Sequence, residues 1–142
     1  MHQGLHLMNE PTLVAVYGSL RKAHGNNSLL RQYNSTHVTT TKTKNKHAMY
    51  SLGGFPFVCL SKPVSQVVVE VYEVNEDCLR ALDRLEGYRG DQHSFYNRSL
   101  VELEDGNSAL MYHIEDRSAS DNALVTHGDW TQYCAERSRR YE

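Results

Sequence analysis

Cysteine is scarce in this 142-residue chain: Cys59, Cys78 and Cys134 are odd in number, far apart and without any CxxC spacing. Such a set argues against a disulfide framework and against a zinc or dithiol site, and it fits a cytoplasmic location. Long apolar runs are missing as well, and nothing approaches the roughly 18–20 apolar residues of a membrane span. Charge of one sign is lacking: 15 Lys and Arg against 17 Asp and Glu leave a net charge of −2. The strongly basic footprint of a nucleic-acid binder is therefore absent. Arg137, Arg139 and Arg140 form the one dense basic cluster and read as part of a solvated tail. The opening MHQGLHLMNE lacks the charged-then-apolar order of a secretory signal. Residues 1–11 read instead as a flexible extension, with Met8 an alternative start.

What is present suits one ordinary domain, expected over residues 12–134, followed by a polar tail at 135–142. Only three prolines and 9% aromatic residues argue against disorder. A chain of this length buries roughly two-thirds of its unfolded surface and needs no staples.

The β-branched, apolar run Thr12–Tyr17 reads as a buried strand ended by Gly18. Asn26 or Asn27 is placed to cap a short helix through Tyr33. The Thr- and Lys-rich stretch 35–46 reads as an exposed strand, and two short strands flank Gly53-Gly54. Gln66–Val74 (QVVVEVYEV) carries the strongest strand signal, apolar enough in its first half for burial on both faces. Asn75 then caps a helix to about Glu86, with Glu76 and Asp77 in the first turn, where the helix dipole favours acids. Gly87 stands at the position of a C-terminal cap. Two further strands flank the hairpin signal Asp105-Gly106, and Asp129 is placed to cap a last short helix. The order is that of an α+β protein, not of a doubly wound sheet. About six strands predict a small mixed β-barrel with flanking short helices.

Two features point to chemistry. Gly18-Ser19 follows a buried strand, and a glycine there lets successive backbone N–H groups line a concavity suited to a carboxylate or phosphate. The competing reading is a plain turn. Glu86 lies about 40° from Leu82 and about 20° from Leu79 at 100° per residue, inside the apolar arc of its helix. Burial and the helix C-terminus both disfavour its charge, pushing it toward a general acid/base value. The competing reading is a core-edge acid that reaches solvent or pairs with an arginine. Ser19 lacks the flanking glycines of a nucleophile elbow. His24, His37, His47 and His113 show no ligand spacing, and His113 with Glu115 reads as a surface pair, so no metal site is expected. Tyr72, Tyr96 and Tyr112 fall on expected strands and read as core residues with hydrogen-bonded hydroxyls.

Taken in order, Val16–Leu20 (VYGSL), Tyr50–Pro56 (YSLGGFP), Val69–Val74 (VEVYEV), Leu79–Tyr88 (LRALDRLEGY) and Tyr96-Asn97-Arg98 resemble the γ-glutamyl cyclotransferase-like family over about residues 12–133. Leu20, where the glutathione- and dipeptide-directed branch has Asn, resembles the γ-glutamylamine cyclotransferase and AIG2-like side. The resemblance implies a cofactor-independent enzyme acting on a small γ-glutamyl substrate. It implies that Tyr17, Gly18, Ser19 and Leu20 hold the substrate's α-carboxylate, that Glu86 is the catalytic acid/base and that Tyr96 lines the pocket. The alternatives are a non-catalytic small-molecule binder or an interaction module on the same fold, since fold alone does not fix function.

Overall fold

In a computed structural model, described over residues 12–91, 94–115 and 123–140, eight strands and three helices alternate irregularly. The expected extension at 1–11 lies outside the described residues, as does the end of the tail. The strands are β1 (Thr12–Val16), β2 (Thr36–Lys42), β3 (Ala48–Ser51), β4 (Pro56–Cys59), β5 (Val68–Val74), β6 (Asn97–Glu102), β7 (Ser108–His113) and β8 (Ala123–Leu124). The helices are α1 (Asn27–Gln32), α2 (Glu76–Glu86) and α3 (Trp130–Arg140).

The α+β character is as expected, but the strands divide between two sheets rather than closing one barrel. The larger sheet has the order β2-β5-β1-β7-β6 and the smaller β4-β3-β8. Closure is approached at one end of the larger sheet. Its two edges meet there through an isolated Thr43–Leu103 bridge, with Glu104 N–H donating to Lys42 O at 2.8 Å and Lys44 N–H to Glu102 O at 3.0 Å. Elsewhere the smaller sheet covers the gap, and Ile114 N–H reaches Val58 O across it at 3.0 Å.

Strand β1 is central, antiparallel to β5 and parallel to β7. Both its faces are buried, which is why it reads as continuous apolar sequence. Val14 and Val16 join a core with Leu30, Cys78 and Leu82 beneath the first two helices, while Ala15 and Tyr17 join Val69, Val71, Met111 and Trp130 on the other side. Helix α2 begins as its sequence dictates, with Asn75 Oδ1 accepting from Cys78 N–H at 2.8 Å. It ends at Gly87, whose φ of 68° is the left-handed conformation glycine tolerates. Cys78, Ala81 and Leu82 anchor it, and truncating the fully buried Leu82 to Ala would cost roughly 2–5 kcal/mol. The last helix is longer than expected, continuing to Arg140, with Asp129 Oδ1 accepting from Gln132 N–H in its first turn.

Candidate active site

The end of β1, the end of α2 and the start of β4 converge on a cavity of about 330 Å³. Tyr17, Gly18, Ser19 and Leu20 form one wall, Gly54, Phe55 and Pro56 a second, and Leu85, Glu86, Phe95 and Tyr96 a third, with Tyr112 also exposed to the space. The residues expected to act together are thus brought together.

The glycine turn is built by its own carbonyls and by long-range packing. Gly18 O accepts from Arg21 N–H at 3.0 Å, Ser19 O from Asn26 N–H at 3.0 Å, and Leu20 O from the Asn27 side chain at 2.8 Å. The N–H groups of Ser19 and Leu20 find no acceptor among the described residues. Glycine is required at 18 for a reason other than torsional freedom. A Cβ there would lie 2.8 Å from Cγ and Cδ of Pro56, so the cavity's two walls touch at this point. Asn26 does not cap α1 through its side chain, contrary to one expectation; its Nδ2 donates instead to Ser19 Oγ at 2.9 Å.

Behind the turn lies a buried polar cluster. Arg21 Nε meets Glu70 Oε2 at 2.9 Å, and its Nη1 meets Asp129 Oδ1 at 2.9 Å. Glu70 Oε1 accepts from Lys22 N–H at 2.7 Å and from the Tyr72 hydroxyl at 3.0 Å. Burial alone would raise the Glu70 carboxyl, but these donors outweigh it and hold it below the ordinary value. Burial, followed by the bond to Glu70, pushes the Tyr72 hydroxyl up to about 12.

Glu86 is the opposite case. Burial raises its carboxyl to about 7, and it has no ion-pair or side-chain hydrogen-bond partner among the described residues. The arginine that might have neutralised it is taken. Arg98 Nη1 contacts both carboxylate oxygens of Asp83, one turn earlier on α2, at 2.8 and 2.7 Å. The Tyr112 hydroxyl also donates to Asp83 Oδ1, at 2.7 Å. Burial raises the Tyr17 hydroxyl well above its usual value, and the nearby charges of Tyr96 and Glu86 add to this.

The tyrosines act chiefly as frame. Tyr17 Oη donates to Tyr112 O at 2.8 Å and accepts from Val58 N–H at 3.2 Å, tying the larger sheet to the smaller. Tyr96, just ahead of β6 and not on it, donates to Pro56 O at 2.7 Å. His113 lies away from the cavity: it alternates with Tyr112 along β7, and its ring nitrogens pair with Ser99 Oγ and Glu115 Oε2, each at 2.7 Å.

Sequence reasoning missed the apolar wall residues Phe55, Leu85 and Phe95, which no local pattern distinguishes. It also missed Glu70, although an acid inside a continuous valine run was a usable signal.

Fold and site together define a small α+β protein whose cavity combines a glycine turn with one carboxyl that no described residue neutralises. The family model for "Gamma-glutamyl cyclotransferase, AIG2-like" matches residues 14–132, and the chain belongs to that family. A relative from Methanocaldococcus jannaschii, named "Putative gamma-glutamylcyclotransferase", is 37% identical over 124 residues, covering 84% of this chain and 96% of its own. One of the same name from Halalkalibacterium halodurans is 37% identical over 87 residues, covering 60% of this chain and 78% of its own. Among solved structures, an AIG2-like protein from Mus musculus superposes with a TM-score of 0.70 at 22% identity, covering 86% of this chain and 89% of that one. That likeness concerns the fold. No helix among the described residues is long and apolar enough to cross a membrane.

Proposed function

We propose that the cavity converts a γ-glutamyl amide into 5-oxoproline and a free amine, with Glu86 as general acid/base. The observation that carries this reading is a carboxyl raised to about 7, without a partner among the described residues, in the same cavity as the glycine turn. A group titrating near neutrality both accepts and returns a proton efficiently.

The substrate's α-carboxylate would sit on the unpaired N–H groups of Ser19 and Leu20, an arrangement suited to an anion. Glu86 then accepts a proton from the α-ammonium. The freed amine attacks the γ-carbonyl carbon, forming the C–N bond of a five-membered ring. Collapse of the tetrahedral adduct breaks the original amide bond as Glu86 returns its proton to the departing nitrogen, and the proton that the ring nitrogen sheds leaves with the amine as its ammonium. Water is not consumed. Because the attack is intramolecular, the protein's main task is to hold the bent conformer. Tyr96 and Tyr17, locked to Pro56 and Tyr112 by their hydroxyls, would serve as rigid walls.

Incubation with a panel of γ-glutamyl amides, followed by mass spectrometry for 5-oxoproline, tests the reading. Release that disappears in Glu86→Gln supports it. Calorimetric binding of the amides without any release would instead favour a non-catalytic binder.

A further inference from the structure

The cyclotransferase reading leaves the departing amine unspecified, and the mouth of the cavity bears on it. Six large apolar side chains are substantially exposed among the described residues: Val38, Phe55, Leu85, Phe95, Leu100 and Leu124. Three of them, Phe55 at 40%, Leu85 at 44% and Phe95 at 48%, line this one cavity. They come from separate elements, the β3–β4 turn, the last turn of α2 and the segment before β6, so their gathering is not a by-product of one amphipathic face. Single exposed hydrophobics need no explanation, but a cluster at a pocket entrance marks a surface that something apolar covers.

The charges agree. Among the described lining residues Glu86 is the only Asp, Glu, Lys, Arg or His, and in the proposed reaction it is committed to the α-ammonium of the glutamyl half. Arg21, next to the turn, is held by Glu70 and Asp129. Arg137 reaches the neighbouring loop, but there it donates to Gly53 O and lies over the Tyr133 ring. Among the described lining residues a charged group on the leaving amine would meet no charge other than the committed Glu86, whereas a neutral hydrocarbon chain would meet two phenyl rings and a leucine.

Building on the cyclotransferase reading, we infer that the leaving-group subsite takes a neutral apolar amine. The preferred substrates are γ-glutamyl amides of alkyl- or aralkylamines, over conjugates whose amine ends in a carboxylate or a zwitterion.

The test compares kcat/KM for γ-glutamylbenzylamide, γ-glutamylmethylamide, γ-glutamyl-ε-lysine and γ-glutamylglycine. The benzylamide should lead each of the others by about tenfold or more, the scale on which apolar pockets discriminate. Phe95→Ser should lower the benzylamide-to-methylamide ratio by about tenfold, and Phe55→Ser, on the opposite wall, serves if the first variant fails to fold. The inference is overturned if the lysine or glycine conjugate matches the benzylamide, or if neither variant moves the ratio. Should no substrate release 5-oxoproline, the cyclotransferase reading fails, and calorimetry on the wild-type protein decides this one separately. Tighter binding of the benzylamide than the methylamide sustains it, and equal binding overturns it.

Discussion

Two glutamates flank the glycine turn, and they behave in opposite ways. Glu70, behind the turn, is buried among Arg21, the Lys22 N–H and the Tyr72 hydroxyl and is held in its charged form. Glu86, in front of it, lines the cavity without a partner among the described residues and is raised to about 7. Desolvation acts on both; what differs is the supply of donors. The contrast separates a scaffold from the proposed reagent. The paired acid fixes the turn to β5 and the start of α3, and the unpaired one remains available for proton transfer.

The strongest way to break the comparison is Glu86→Gln. It should bind substrate but lose about 10²–10⁴ in turnover, measured as 5-oxoproline release, and a variant with full turnover removes Glu86 from the mechanism. The same change should stabilise the fold at pH 8 by on the order of 1–2 kcal/mol in urea titration, because a carboxylate disfavoured by burial is gone. Next is Glu70→Gln, which leaves Arg21 buried with Asp129 as its one remaining ionic partner among the described residues. Breaking a buried pair is strongly destabilising, and a loss of roughly 2–4 kcal/mol is expected. Gly18→Ala should cost about 1–3 kcal/mol through overlap with Pro56. It should also raise KM more than it lowers kcat, because in the proposed reaction the displaced turn is the part that holds the carboxylate.

Finally, the two acids should have opposite pH signatures. Glu86 has a folded value above its unfolded one, so its stabilising contribution is full below about 4.5 and is lost as pH rises toward 7. Glu70 has a folded value below its unfolded one, so its contribution holds above about 4.5 and is lost as pH falls below it. Stability curves of the two glutamine variants, each subtracted from wild type, should slope in opposite directions. Activity should follow the first acid alone, with kcat/KM rising through about pH 7.

What the sequence made legible is what local chemistry decides. The caps at Asn75 and Gly87 bound α2 correctly because both act within one turn. The inward setting of Glu86 followed from helical spacing. Where the decision was long-range, the sequence was silent. Nothing near Gly18 says that Pro56, 38 positions later, rests on it. Nothing near Arg98 says that it takes Asp83 and leaves Glu86 alone. Strand β8 is two residues long and exists only through its pairing with Tyr50 and Ser51. The incomplete closure of the expected barrel has the same origin: whether β2 and β6 pair along their length or touch at one bridge is set by sheet curvature, which no local pattern encodes.

The end of α2 carries one more implication. Phe95 N–H donates to Gly87 O at 2.8 Å and Tyr96 N–H to Glu86 O at 3.3 Å, and a Cβ at Gly87 would come within 3.0 Å of the Phe95 Cβ. The acid and the aromatic wall beside it are stitched together through the main chain. Redesign for a different amine is therefore safer at Phe55, on an independent turn, than at Phe95, where any backbone adjustment would drag the proposed proton-transferring group along with it.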